Sequence, residues 1–157
     1  MKRLLDLIRA TVISLETFFV FVGIITFIKW SQWYAMIGNQ LSNDGESSKY
    51  MFALPPAILI YALSLSNDVL KPDGKLKERF MEWKEYYRIK DRVLISLFVC
   101  LICAISSVAG WLFCKTISKP MLGFILIASI TESLVVVICL LLAKFSIQQF
   151  VNNNFKL

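Results

Sequence analysis

The sequence predicts an all-α membrane protein with four transmembrane helices and an amphipathic cytoplasmic helix between the second and third. Three observations predict it. Of 157 residues, 57% are hydrophobic and 18% charged, with a mean hydropathy of +0.66; a soluble domain of this size is about 45–50% apolar and roughly a quarter charged. The apolar excess is gathered into long runs, which is how a bilayer shows itself in sequence. The basic residues fall in alternate loops, as the positive-inside rule requires of a multi-pass chain. The net charge of +6 is then a matter of topology, and no nucleic-acid partner is expected. One transmembrane domain covers residues 1–157, with spans at about 10–28, 51–70, 93–114 and 121–143 and a cytoplasmic loop at 71–92.

A helix rising 1.5 Å per residue needs about 20 residues to cross roughly 30 Å of hydrocarbon. The first, third and fourth runs meet that length directly. The first is expected to be a retained helix acting as its own insertion signal. Its basic start resembles a signal peptide, but its apolar run is long, carries Glu16 and ends in aromatic residues rather than a small-residue cleavage site. The second run, residues 51–66, is short and holds Pro55 and Pro56. Charge decides that it spans: with four spans, 13 of the 17 Lys and Arg lie inside and 4 outside, whereas without it 12 lie outside. The two prolines are expected in the first turn of a helix from about Leu54 to Leu70, where no intrahelical donor is lost. Both termini are then cytoplasmic, and a bacterial inner membrane is the expected location.

The turn around residues 115–120 makes the third and fourth helices an antiparallel hairpin, with Pro120 in the first turn of the fourth. Trp30, Trp33, Tyr34 and Ile37 are spaced i, i+3, i+4, i+7, so the first helix is expected to run on as an interfacial helix with its rings at headgroup level. Residues 39–49 are polar and expected to form an outer turn.

Three constellations carry possible chemistry. Glu132 and Glu16 are acids inside apolar runs, where a carboxylate costs about 2.5–3.5 kcal/mol on insertion scales and usually faces a helix interface or a wet cavity. They are the candidate ion or proton site, against the plainer alternative of a hydrogen bond between helices. Ser96, Cys100, Cys103, Ser107, Gly110 and Cys114 follow steps of four and three, a small-residue heptad that favours close approach of another helix, of the same chain or, as the leading expectation, of a neighbouring subunit in a homo-oligomer. A metal or redox reading of Cys100 and Cys103 would bury thiolates in hydrocarbon and has no second ligand pair. Finally, Leu76, Phe80, Trp83 and Tyr87 form one face of an amphipathic cytoplasmic helix whose other faces carry Lys77, Arg79, Lys84 and Arg88. Such a helix suits anionic lipids or a cytoplasmic protein partner. The sequence holds no His, no Gly-rich phosphate loop and no nucleophile paired with a base outside the membrane, so neither an enzyme nor a cofactor or metal is expected.

Four short spans with a glutamate in the first, here Glu16, resemble the small multidrug transporters. The chain departs from that pattern in its 26-residue charged segment at 67–92 and in its second acid, Glu132, so that family's binding role is not carried over to Glu16. In overall plan the chain resembles the small four-helix membrane subunits of bacterial phage-defence systems such as Kiwa, which implies a cytoplasmic partner and assigns no residue. The leading expectation is a small oligomeric subunit that senses or signals at the membrane and recruits a cytoplasmic partner, in a stress or phage-defence setting. The alternatives are an ion- or proton-conducting pore or small transporter using Glu132 and Glu16, and a holin-like or toxin-like permeabilising protein.

Overall fold

The computed structural model describes residues 15–43, 45–70 and 86–154; the side chains of 15, 16, 45, 47, 86 and 146–154 lie outside that description. All regular structure in this range is helical. Five helices follow in order: α1 (Leu15–Lys29), α2 (Ser31–Asn43), α3 (Gly45–Leu70), α4 (Tyr86–Leu112) and α5 (Lys119–Asn154). Three stretches, Ser48–Leu70, Tyr87–Leu112 and Lys119–Phe145, are long and apolar enough to cross a membrane, and α1 with α2 makes a fourth if that bent pair is one span.

Helix α4 buries its small residues and exposes its large ones. On α4, Ser96, Cys100, Ala104, Ser107 and Gly110 are buried, while Phe98, Leu101, Ile105, Val108 and Leu112 are exposed. Large side chains gain nothing by leaving lipid for protein, so the small ones turn inward and let backbones approach. Helix α3 presents the matching stripe. Ser48, Phe52, Pro55, Leu59, Ala62, Ser66 and Val69 step by four and three and are all buried or half-buried, so two heptad seams mesh antiparallel. The seam predicted on α4 packs on α3 and α5 of its own chain. Cys103 is half-buried, and Cys114 falls beyond the helix, in the turn.

The expected position of the two prolines is corrected. Helix α3 begins at Gly45, and Pro55 and Pro56 lie in its interior. Proline has no N–H, so Pro56 cannot donate to the carbonyl of Phe52 four residues earlier. Ser107 of α4 does so instead, its Oγ donating to Phe52 O at 2.8 Å in a buried bond. A helix break is thus repaired by the neighbouring seam, as backbone groups in hydrocarbon require. Residues 39–49 are accordingly helical on both sides of Asp44 rather than a polar turn.

Helix α5 lies at the centre and packs on every other helix. Its exposed residues Leu134, Ile138, Leu142 and Phe145 form one lipid-facing stripe, while Leu122, Leu126, Val136 and Leu140 fill the interior. It also starts earlier than residue 121 and runs past 143, as α4 starts well before Val93; residues 86–92 are continuous with the span. At one end Lys144 Nζ meets Asp68 Oδ2 at 2.7 Å, so α3 and α5 run parallel, with α4 antiparallel to both and packed on both.

The first span does not run straight on. The chain breaks at Trp30 and turns by 92° into α2. The corner closes with Trp30 N donating to Thr26 O at 2.8 Å and Trp33 N donating to Trp30 O at 3.0 Å. Trp30 and Trp33 are exposed, but Tyr34 is buried and Ile37 half-buried, because α2 packs along the first turns of α5. Gly38 sits on the Lys119 backbone and Gly123 on the Tyr34 backbone, so closely that a Cβ on either glycine would overlap a carbonyl oxygen. Lys119 Nζ also donates to Ser42 Oγ. Helix α2 is thereby an integral part of the bundle, and its contacts leave α1 set at a steep angle to it.

Candidate functional site

The corner between α1 and α2 shapes a cavity of about 500 Å³. Helix α1 packs on α2 and α5 and hardly touches α4, so a cleft stays open over the face of α5. Three rings hold its outer end together: Phe27 and Phe124 lie 4.8 Å apart by ring centroid, and Tyr34 and Phe124 5.7 Å. Thr26 Oγ1 donates to Gly23 O at 2.8 Å. Its one proton is used there, so the 3.0 Å contact with Tyr34 has the phenol donating to the threonine oxygen. That bond clamps the last full turn of α1 to the first turn of α2.

Along the wall formed by α5 the lining runs from Phe124 through Ala128 and Ser129 to Glu132; Cys103 and Ser106 of α4 face it. The lining is mostly apolar. Glu132 is the charged residue among the described residues lining it, and it is 5% exposed. Its place follows from the sequence: positions 125, 128, 129 and 132 share one face of a 3.6-residue helix. Small side chains at 128 and 129 leave room before the acid. Cys103, part of the predicted seam, lies beside Glu132, whereas Ser96, Cys100, Ser107 and Gly110 are buried away from the cavity lining.

Glu16 belongs to α1, but its side chain lies outside the described residues, as do Leu76, Phe80, Trp83, Lys77, Arg79 and Lys84. Tyr87 and Arg88 are exposed on the first turn of α4. The structure thus brings Glu132 together with Cys103 of the predicted seam, with Tyr34 and Thr26, and with Ser106 and Phe124, which the sequence did not single out. The signal for them was weak. Thr26 and Tyr34 are separated by a helix break that carries neither Gly nor Pro. No cluster of residues able to hold a metal occurs among the described residues. Comparison of the chain with protein-family models, with curated proteins and with solved structures finds no match.

Proposed function

We propose that this chain is a small membrane carrier whose working group is Glu132, the pore-or-transporter alternative that the sequence set beside a partner-recruiting subunit. One observation carries it: a carboxyl group, 5% exposed, faces a cavity of about 500 Å³ on the central helix of an intramembrane bundle. An ionisable side chain at such a place is costly and marks a pathway or binding site by default. A static helix interface has no need of a cavity this large. Dicyclohexylcarbodiimide partitions into bilayers and attacks protonated carboxyl groups. In lipid nanodiscs it is expected to modify Glu132, with Glu132→Gln abolishing the label while leaving folded yield unchanged. Flux in liposomes should fall with the same substitution, because an amide neither releases a proton nor neutralises a cation. Absence of labelling on Glu132 in the wild type, or a fully active Glu132→Gln protein, overturns the reading.

The topology proposed with it is four crossings in a bacterial inner membrane, with both termini cytoplasmic. Its support is that α3 and α5 are parallel, so the end of α3, the start of α4 and the end of α5 lie on one side, the side to which the positive-inside rule assigns the basic segment after Leu70. Reporter fusions at Asp73 and Asn153 should read cytoplasm and a fusion at Ser118 outside. A fusion at Met1 reads cytoplasm if α1 and α2 together make one broken span; an external Met1 would make the pair re-entrant.

The exposed Tyr87 and Arg88 on that same side favour a companion role, an oligomeric subunit contacting anionic lipid or a cytoplasmic protein through residues 75–92. Crosslinking from a photoreactive residue at Tyr87 tests it, with the absence of any intermolecular adduct as the failing result.

A further inference from the structure

The cavity that ends at Glu132 also has an open side. We propose that it is an acyl-chain site: one chain of a membrane phospholipid lies in it, between α1 and α4, with the lipid's phosphate held at Lys29. The walls and mouth of the cavity carry this inference, independently of the role given to Glu132.

The opening follows from packing. Helix α1 is held by α2 and α5 and barely meets α4. Val20, Val22 and Ile24 line the cavity and are exposed at the same time, so the space is not sealed from the surface along α1. Beside it, Phe21 and Ile25 of α1 and Ile102 and Ile105 of α4 are exposed too. In a bilayer that apolar surface meets acyl chains, and the cavity is continuous with it.

The occupant follows from volume and polarity. Close-packed structures hold few voids larger than a water molecule, so a space of this size is filled by something. Water fills a cavity where each molecule finds two to four polar partners. Phe19, Val20, Ile24 and Ile125 offer none, and the Thr26 and Tyr34 hydroxyls bond each other. At about 30 Å³ for a water-sized group, the cavity of about 500 Å³ takes roughly 16 methylenes, which is one phospholipid chain. A single turn of α-helix, about 10 Å across and 5.4 Å high, already takes up roughly 400 Å³, so a partner helix does not fit.

The mouth matches the other half of a phospholipid. Lys29 ends α1, one turn beyond Thr26 of the lining, and is exposed together with Trp30 and Trp33. Tryptophans beside a lysine suit the membrane–water interface: the indoles sit among headgroups and the ammonium reaches toward phosphate. Positive charge and apolar walls thus follow in the order of the lipid itself, phosphate first and chain behind.

The test uses the full chain in nanodiscs of phosphatidylethanolamine and phosphatidylglycerol, doped with a phosphatidylcholine that carries a diazirine near the end of one chain. After photolysis, adducts are expected on Ser106, Ala128 and Ser129 of the cavity as well as on Leu134 and Ile138 of the outer stripe. Ala128→Phe, which fills the space, should cut the cavity adducts by about tenfold. The outer adducts should not change, which shows that the variant is folded, and Ala128→Leu should act in the same direction but less. Lys29→Gln should lower the cavity adducts about fivefold, the factor that one lysine near the surface contributes toward lipid phosphate, and Lys29→Arg should keep them. Glu132→Gln should also keep them, so the result is read apart from the carbodiimide labelling of Glu132. Adducts on the outer stripe alone overturn the proposal. So does labelling of the cavity by a free diazirine fatty acid but not by the phospholipid. Rapid modification of Cys103 by a charged, water-soluble thiosulfonate overturns it as well, because the cavity would then be wet.

Discussion

Gly123→Ala will loosen α2 from the bundle and cost the protein about 1–3 kcal/mol or more, the range for overfilling a packed site. The added Cβ would meet the backbone carbonyl of Tyr34, and a backbone oxygen in a helix cannot move aside as a side-chain tip can. Gly38→Ala, against the carbonyl of Lys119, should behave in the same way. Two further glycines calibrate the effect. At Gly110 a Cβ would lie 3.2 Å from the Ile125 branch methyl and the Phe52 ring edge, side-chain atoms that need shift only a few tenths of an ångström, so the cost should be smaller. At Gly23 the nearest neighbour is the Phe124 ring edge at 3.7 Å, ordinary contact. There the helical preference for Ala over Gly, about 0.8–1 kcal/mol, should show as a gain. Thermal midpoints in detergent should therefore rank Gly23→Ala above wild type, Gly110→Ala near it, and Gly123→Ala and Gly38→Ala well below. Equal midpoints for Gly23→Ala and Gly123→Ala would mean that the α2–α5 contact is absent. Because Tyr34 lies on this contact and on the cavity wall, Gly123→Ala should reshape the cavity too.

Ser107→Ala should destabilise the α3–α4 pair by about 1–2 kcal/mol, above the mean of roughly 0.6 kcal/mol for hydrogen bonds between membrane helices and near their upper end. The reason is the proline. Most interhelical hydroxyls supplement a carbonyl already bonded within its own helix, whereas Phe52 O has lost its donor to Pro56 and depends on Ser107 Oγ at 2.8 Å. Leaving a buried acceptor without a donor carries its desolvation cost. The control is a double-mutant cycle. Pro56→Ala restores an N–H four residues after Phe52, so Ser107→Ala should be close to neutral in that background, with a coupling of about 1 kcal/mol. A coupling near zero, read from unfolding in mixed micelles, would show that the hydroxyl does not replace the missing donor.

Much of the fold was written in local patterns. The apolar runs of residues 93–114 and 121–143 carry their length and lipid exposure in their own composition, and the Ser96-to-Gly110 seam is visible because small residues recur at helical steps. The partner seam on α3, Ser48 through Val69, has the same steps and was obscured by its two prolines. Local rules place Pro55 and Pro56 at a helix start, and only a hydroxyl from another helix makes an interior position tolerable. Glu132 was legible as an acid in hydrocarbon, and its cavity was not. The right angle at Trp30 carries no Gly or Pro to announce it, and it is stabilised by Tyr34, Thr26 and the ring of Phe124, nearly a hundred residues away.

The sequence by itself determined that the chain carries runs long and apolar enough to cross a membrane, which runs are helical, and which face of α4 is small, since each is a property of consecutive residues and their period. Only the tertiary structure decided that this face meets α3 of the same chain, that α2 is wedged against α5 through Gly38 and Gly123, and that the space left beside α1 ends at Glu132. Those outcomes depend on which surfaces touch. In a bilayer, where lipid is as apolar as the helices, contact is selected by close backbone approach and by donors for orphaned carbonyls, and neither is recorded in the order of residues along one helix.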